Sequence, residues 1–106
     1  MASAYFLRLE DWIDINLSEE DKEWLAGDPE RKLVVYIWEA TVRCIYYSAH
    51  GIRVEWEETD RVNTFMPDPY QALEEMRSQY WELCEQELEI TDLYLQDVEL
   101  VNPYAG

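Results

Sequence analysis

Residues 32–62 read KLVVYIWEATVRCIYYSAHGIRVEWEETDRV, and how this stretch folds decides the architecture. Two periods compete over Lys32 to Ser48. As a helix it has Asp28 as N-cap, Pro29 in the first turn, and an apolar stripe of Leu33, Val34, Ile37, Trp38, Thr41, Cys44 and Ile45. As a strand its even positions are almost wholly apolar: Val34, Tyr36, Trp38, Ala40, Val42, Cys44 and Tyr46. Pairing with the following residues separates the two. With Ala49-His50-Gly51 as a three-residue loop and Gly51 in the left-handed region, Ser48 faces Ile52, while Tyr46 and Cys44 meet Val54 and Trp56. On the other face the same register sets Arg43 against Glu57, Glu39 against Arg61, and Thr41 against Thr59. Opposite charges meeting twice in one register favour the hairpin, as does the β-branched and aromatic content.

Working outward, Tyr5, Leu7, Leu9, Ile13, Ile15 and Leu17 share one parity, broken by Asp11. This predicts a first strand with a kink near Asp11-Trp12. Ser18 then caps a two-turn helix through Ala26, with Gly27 as its stop and acids in its first turn. Asp68-Pro69 opens a longer helix, predicted to reach about Leu88. Its inner stripe is Leu73, Met76, Tyr80, Leu83 and Cys84. Thr91 to Val101 reads as a last strand with a phase slip near Gln96-Asp97. The expected fold is α+β, a single domain over residues 1–106. Its order is β-α-β-β-α-β, with an antiparallel sheet and two helices on one face, as in a ferredoxin-like split βαβ. A simpler helix-on-sheet arrangement stays open because the first helix is short.

The bulk composition is globular, with 48% apolar and 30% charged residues. The charge balance is less ordinary: 8 Lys and Arg face 24 Asp and Glu, a net charge of −16. Such a chain repels nucleic acid and anionic membranes and attracts basic protein surfaces. No apolar run approaches a membrane span, so no membrane association is expected. Met1 to Ala4 has no basic n-region, and Arg8 and Glu10 interrupt the apolar residues that follow, so no secretory signal is expected. Cys44 and Cys84 form neither a framework nor a CxxC motif and read as reduced thiols in a cytoplasmic protein.

Catalytic chemistry has little to stand on. The one histidine, His50, falls at the hairpin tip, far from a buried nucleophile and base. Cys44, His50 and Cys84 lack metal-ligand spacing, and three glycines give no phosphate-binding loop. No enzyme activity, cofactor or metal is expected.

The acids and aromatics say more. Glu82, Glu85, Glu87 and Glu89 crowd the end of the predicted long helix, where they oppose its dipole and one another. Either that charge is wanted there or the penalty is too small to matter. Glu55 and Glu57, at i and i+2, form a short row on a strand; Glu82, Glu85 and Glu89 form a second row on the helix. Aromatics make up 14% of the chain, more than one small core hides comfortably. Trp24, Trp38, Trp56 and Trp81 can all be read as core, most firmly Trp38 and Trp56. Tyr47, Trp81 and Tyr104 are the better candidates for an interface.

In charge and size the chain resembles the small acidic inhibitors of phages and mobile elements, nucleic-acid mimics that block restriction or CRISPR enzymes. That resemblance implies a non-enzymatic inhibitor whose carboxylates stand in for phosphates on a basic, nucleic-acid-binding partner, without touching nucleic acid itself. The partner-binding residues expected are Glu55, Glu57, Glu82, Glu85, Glu89, Tyr47 and Trp81. The alternative is an immunity protein or antitoxin covering a basic toxin, or a small subunit of a larger assembly.

Overall fold

The computed structural model describes residues 8–80 and 87–105. Among these residues the elements run α1 (Leu9–Asn16), α2 (Glu19–Ala26), β1 (Leu33–Tyr47), β2 (Arg53–Thr64), α3 (Pro69–Tyr80) and β3 (Glu87–Val101). The strands form one antiparallel sheet in the order β2-β1-β3. An α+β fold around an antiparallel sheet is therefore correct.

The central hairpin follows the sequence reading residue for residue. Cys44 pairs with Trp56, Arg43 with Glu57, Thr41 with Thr59 and Glu39 with Arg61. Gly51 has φ 75°, the left-handed value that the three-residue loop requires. The Ser48 N–H donates to the Ile52 carbonyl at 2.9 Å and closes the loop. The slip expected in the last strand is also present, as a register shift that leaves Gln96 unmatched between Leu95 and Asp97. A second shift follows toward Thr91, where Asp92 takes φ 55°.

The even positions of β1 build the main core. Trp38, Ala40 and Val42 are buried with Val62 of β2 under Ala72, Met76 and Tyr80 of α3. Trp56, Leu88, Ile90 and Leu93 pack around them. The buried Trp38 indole N–H donates to Thr64 Oγ1 at 2.8 Å. On the other parity Val35 is buried, as are Ile13 of α1 and Leu25 of α2. The Asn102 side chain joins these helices to the sheet end, donating to the carbonyls of Leu25, Asp28 and Arg31 at 2.8, 3.2 and 3.0 Å.

Four expectations need correction. First, residues 9–16 are helical, so the order is α-α-β-β-α-β, and neither a first strand nor the ferredoxin-like topology is found among the described residues. Leu9, Ile13 and Leu17 are four apart, a spacing that suits both a strand face and a helix face. Asp11, which broke the strand pattern, sits without penalty in the first turn of α1. Second, the helix from Pro69 is shorter than predicted, since Glu87 and Leu88 already belong to β3. The buried stripe of α3 is Ala72, Met76 and Tyr80, with Leu73 half-buried. Glu87 and Glu89 therefore do not load a helix C-terminus. Third, Trp24 is half exposed, with Arg31 stacked 5.0 Å from its ring, and is not core. Fourth, Cys44 is buried and disulfide-bonded, not a reduced thiol. The other cysteine of the sequence, Cys84, lies outside the described residues.

The molecule is a rod of 56 × 24 × 19 Å. Its surface of 7294 Å² exceeds the ~6,200 Å² usual for this mass, as an elongated body must. Two consequences can be measured. Gly51→Ala should destabilise by about 1 kcal/mol in urea unfolding, because alanine resists the left-handed conformation. Cys44→Ala should lower the thermal midpoint and remove the sensitivity of that midpoint to reductant, with a loss of about 2–4 kcal/mol.

Candidate protein-binding surface

The odd positions of β1 face away from α3 and make a mixed face, apolar at the buried Val35 and Ile45 and polar around Glu39, Thr41 and Arg43 with their cross-strand neighbours. Arg43 lies at its centre, opposite Glu57 on β2 and Glu89 on β3. Tyr47 and Glu55 lie toward the hairpin tip on the same face. The sheet thus gathers Tyr47, Glu55, Glu57 and Glu89 from three strands, and leaves the ring of Tyr47 exposed. Glu89 belongs to this face and to β3, not to a helical row with Glu82 and Glu85. Trp81, Glu82 and Glu85 lie outside the described residues.

This face is not a bare array of carboxylates. The Arg43 guanidinium pairs with Glu55 through Nη2 and approaches Glu89 through Nη1 at 3.7 Å. Glu55 also meets Arg53 at 3.1 Å. Glu57 has no ion pair among the described residues and remains the most available acid of the group. Nearer the middle of the sheet, Glu39 accepts from the Tyr94 hydroxyl at 2.6 Å and from Arg61 Nε at 3.1 Å. Those bonds, Tyr94's first and Arg61's second, hold the Glu39 carboxyl below its ordinary value. Glu39, Glu55, Glu57, Glu87, Glu89, Asp97 and Glu99 against Arg43, Arg53 and Arg61 leave the face four formal negative charges. The expected Glu55–Glu57 row is neutralised at one end.

The denser array is on α1 and α2, and the sequence reading did not single it out. Glu10, Asp11, Asp14, Glu19, Glu20, Asp21 and Glu23 are all exposed. Their basic counterparts are Arg8, which pairs with Asp11 at 3.3 Å, and Lys22, which meets Glu19 at 3.1 Å and Asp14 at 3.5 Å. The bond to Glu19, with attraction from Asp14, raises the Lys22 ammonium above its ordinary value. At 100° per residue a helix sets Glu10, Asp11 and Asp14 within an arc of about 100°, whereas a strand divides them between two faces. The signal was present in the sequence, since half of residues 10–23 are acidic. Reading the segment as a strand concealed their common face. The Tyr104 hydroxyl adds a bond to Asp14 at 3.0 Å, so this aromatic serves the fold more than it faces a partner.

On the α3 side, the Tyr80 hydroxyl reaches Glu58 at 2.6 Å and also bonds Asp60. Burial first, then its bonds to Asp60 and Glu58, push the phenol far above its usual pKa. It stays neutral, and its single O–H is shared between the two carboxylates. His50 sits exposed in the hairpin loop. Among the described residues no three His, Cys, Asp or Glu side chains are placed to hold a metal ion. No helix among them is long and apolar enough to cross a membrane. No protein-family model matches the chain, and no curated protein or solved structure matches it either.

Two variants test these assignments. Tyr94→Phe should raise the Glu39 titration midpoint, followed by carboxylate carbon NMR. Because Glu39 is depressed in the fold, its contribution to stability is present above the unfolded value and fades as pH falls through the folded one. Tyr80→Phe should cost about 1.5–3 kcal/mol in urea unfolding, because it removes the one hydroxyl that two half-buried carboxylates share.

Proposed function

We propose that the chain is a non-enzymatic, acidic protein-binding module that occludes a basic, nucleic-acid-binding surface of its partner. In this reading it is an inhibitor of the nucleic-acid-mimic type that phages and mobile elements use against restriction and CRISPR enzymes. The observation that carries the reading is the charge set along a thin rod. Of the 24 acids, Glu82 and Glu85 lie outside the described residues, which leaves 22 against eight basic residues, a net charge of −14. Over a 56 Å length this is one net charge for about every 4 Å, near the 3.4 Å spacing of phosphates along one strand of a duplex. The acids of α1 and α2 supply the least neutralised part, and Glu57 with Tyr47 a secondary contact. The partner's Lys and Arg meet carboxylates where they would otherwise hold phosphates. Nucleic acid and membranes are not direct partners.

A second reading, an antitoxin or immunity protein, draws on the arginines that neutralise the open sheet face and on the apolar side chains exposed along β3. A subunit held by an apolar contact tolerates salt, whereas a phosphate mimic does not. The disulfide at Cys44 bears on location. Such bonds persist in oxidising surroundings, which weighs against the cytoplasmic placement expected from the thiols.

Capture of host proteins on the immobilised chain separates the readings. The mimic should retain nucleic-acid-binding proteins at ~50 mM salt, lose most of them by ~200 mM, and release them to added DNA or RNA. Replacing Glu10, Asp11, Asp14, Glu19 and Glu20 by their amides should reduce that retention at least ten-fold. Retention of acidic or neutral proteins alone, indifferent to salt and nucleic acid, would end the mimic reading.

A further inference from the structure

Resting on the basic-partner reading, we infer that the outer edge of β3 over Asp97–Val101 receives an extended segment of that partner in which basic and apolar residues alternate. β3 is an edge strand, and among the described residues nothing pairs with its outer side. Asp97 to Val101 match Ile37 to Leu33 in one unbroken register, so this end of the edge is regular and can template another strand. Its two faces differ in chemistry. Val98 and Leu100 are 45% and 64% exposed on the face shared with Trp38, joined there by Leu95 at 42%. Asp97 and Glu99 occupy the opposite face. No Lys or Arg occurs anywhere in Glu87–Val101.

The other edge is built differently. On β2, Glu58 and Asp60 turn their charges inward beneath α3 while Arg53 and Arg61 lie on the outer face. Inward-pointing charge is a common way to discourage strand addition. Over Asp97–Val101, β3 shows apolar side chains at the corresponding inward positions.

Charge decides the occupant. Directly opposed residues in an antiparallel pair lie on the same face, so a two-fold pairing of two copies must centre on a residue. Centred on Asp97, Val98 or Glu99, it sets an acid against an acid, which is unfavourable, and each copy carries a net charge of −16. A strand whose basic residues oppose Asp97 and Glu99, and whose apolar residues lie beside Val98 and Leu100, satisfies both faces. Main-chain bonds supply the common part of the affinity and the alternating side chains the selectivity. The Val98 N–H is held by the Asp97 carboxylate at 2.8 Å. A partner carbonyl can take that donor and release the carboxylate to a lysine or arginine.

The test uses the whole chain and a short capped peptide alternating lysine and valine, with amide hydrogen exchange read by NMR. Binding should slow exchange within residues 97–101, and N-methylation of the peptide's main chain should abolish it. The double variant D97K/E99K should weaken binding about ten-fold or more. If the peptide binds with unchanged affinity in that variant, or protects amides elsewhere, the edge is not the dock, although attraction to basic partners survives. If the unmodified chain binds neither this peptide nor polylysine, the basic-partner reading fails as well. A dimer in sedimentation that protects these same amides without peptide would make a second copy the occupant and overturn the assignment.

Discussion

The structure depends on the alternation of β1. Its even positions are apolar from Val34 to Tyr46, and burying Trp38, Ala40 and Val42 under α3 fixes which way every odd position points. Both remaining strands pair with β1, so each takes its facing from the same alternation. A one-residue slip against β2 would set Arg43 opposite an uncharged or inward-facing neighbour and turn Trp56 outward. The buried Trp38–Thr64 bond reinforces the register, since the indole N–H finds its acceptor only in this alignment.

From that constraint follows a molecule with unlike surfaces. The α3 side holds the core, and there two half-buried carboxylates, Glu58 and Asp60, share the single hydroxyl of Tyr80. The opposite side of the sheet carries three arginines, which pair with Glu39, Glu55 and Glu89, beside further acids such as Glu57. The excess negative charge is displaced to the helices at one end and to the β3 edge. Self-neutralisation of the sheet reconciles a large net charge with strands that pack closely, because like charges directly across a ladder are avoided wherever an arginine intervenes.

Much of this was legible in the residues. The hairpin could be read to the exact partner because its register was over-determined, with apolar pairs on one face and two opposite-charge pairs on the other. The Gln96 slip was legible because parity changes there. Residues 9–16 were misread because a four-residue spacing satisfies both periods, and local composition cannot break that tie when tertiary contacts bury Ile13. The end of the long helix was misread because Glu87 to Ile90 continue an acidic, apolar-spaced pattern while the chain has already turned into a strand. For the binding surface, the sequence indicated which acids share the hairpin face. It did not indicate that Arg43, central on that face, would take up Glu55, because that pairing runs diagonally across the ladder.

The attachment at Asn102 has a chemical consequence of its own. One carboxamide secures three carbonyls from the last turn of α2 and the residues after it, so conversion of that side chain to a carboxylate would set negative oxygen against three others and unfasten the helical end. Asparagine ordinarily ages by attack of the next residue's main-chain nitrogen on its side chain, through a cyclic imide. The next residue here is Pro103, whose nitrogen carries no hydrogen to lose. The clasp that joins helices to sheet is therefore shielded from the commonest spontaneous decay of its own amide.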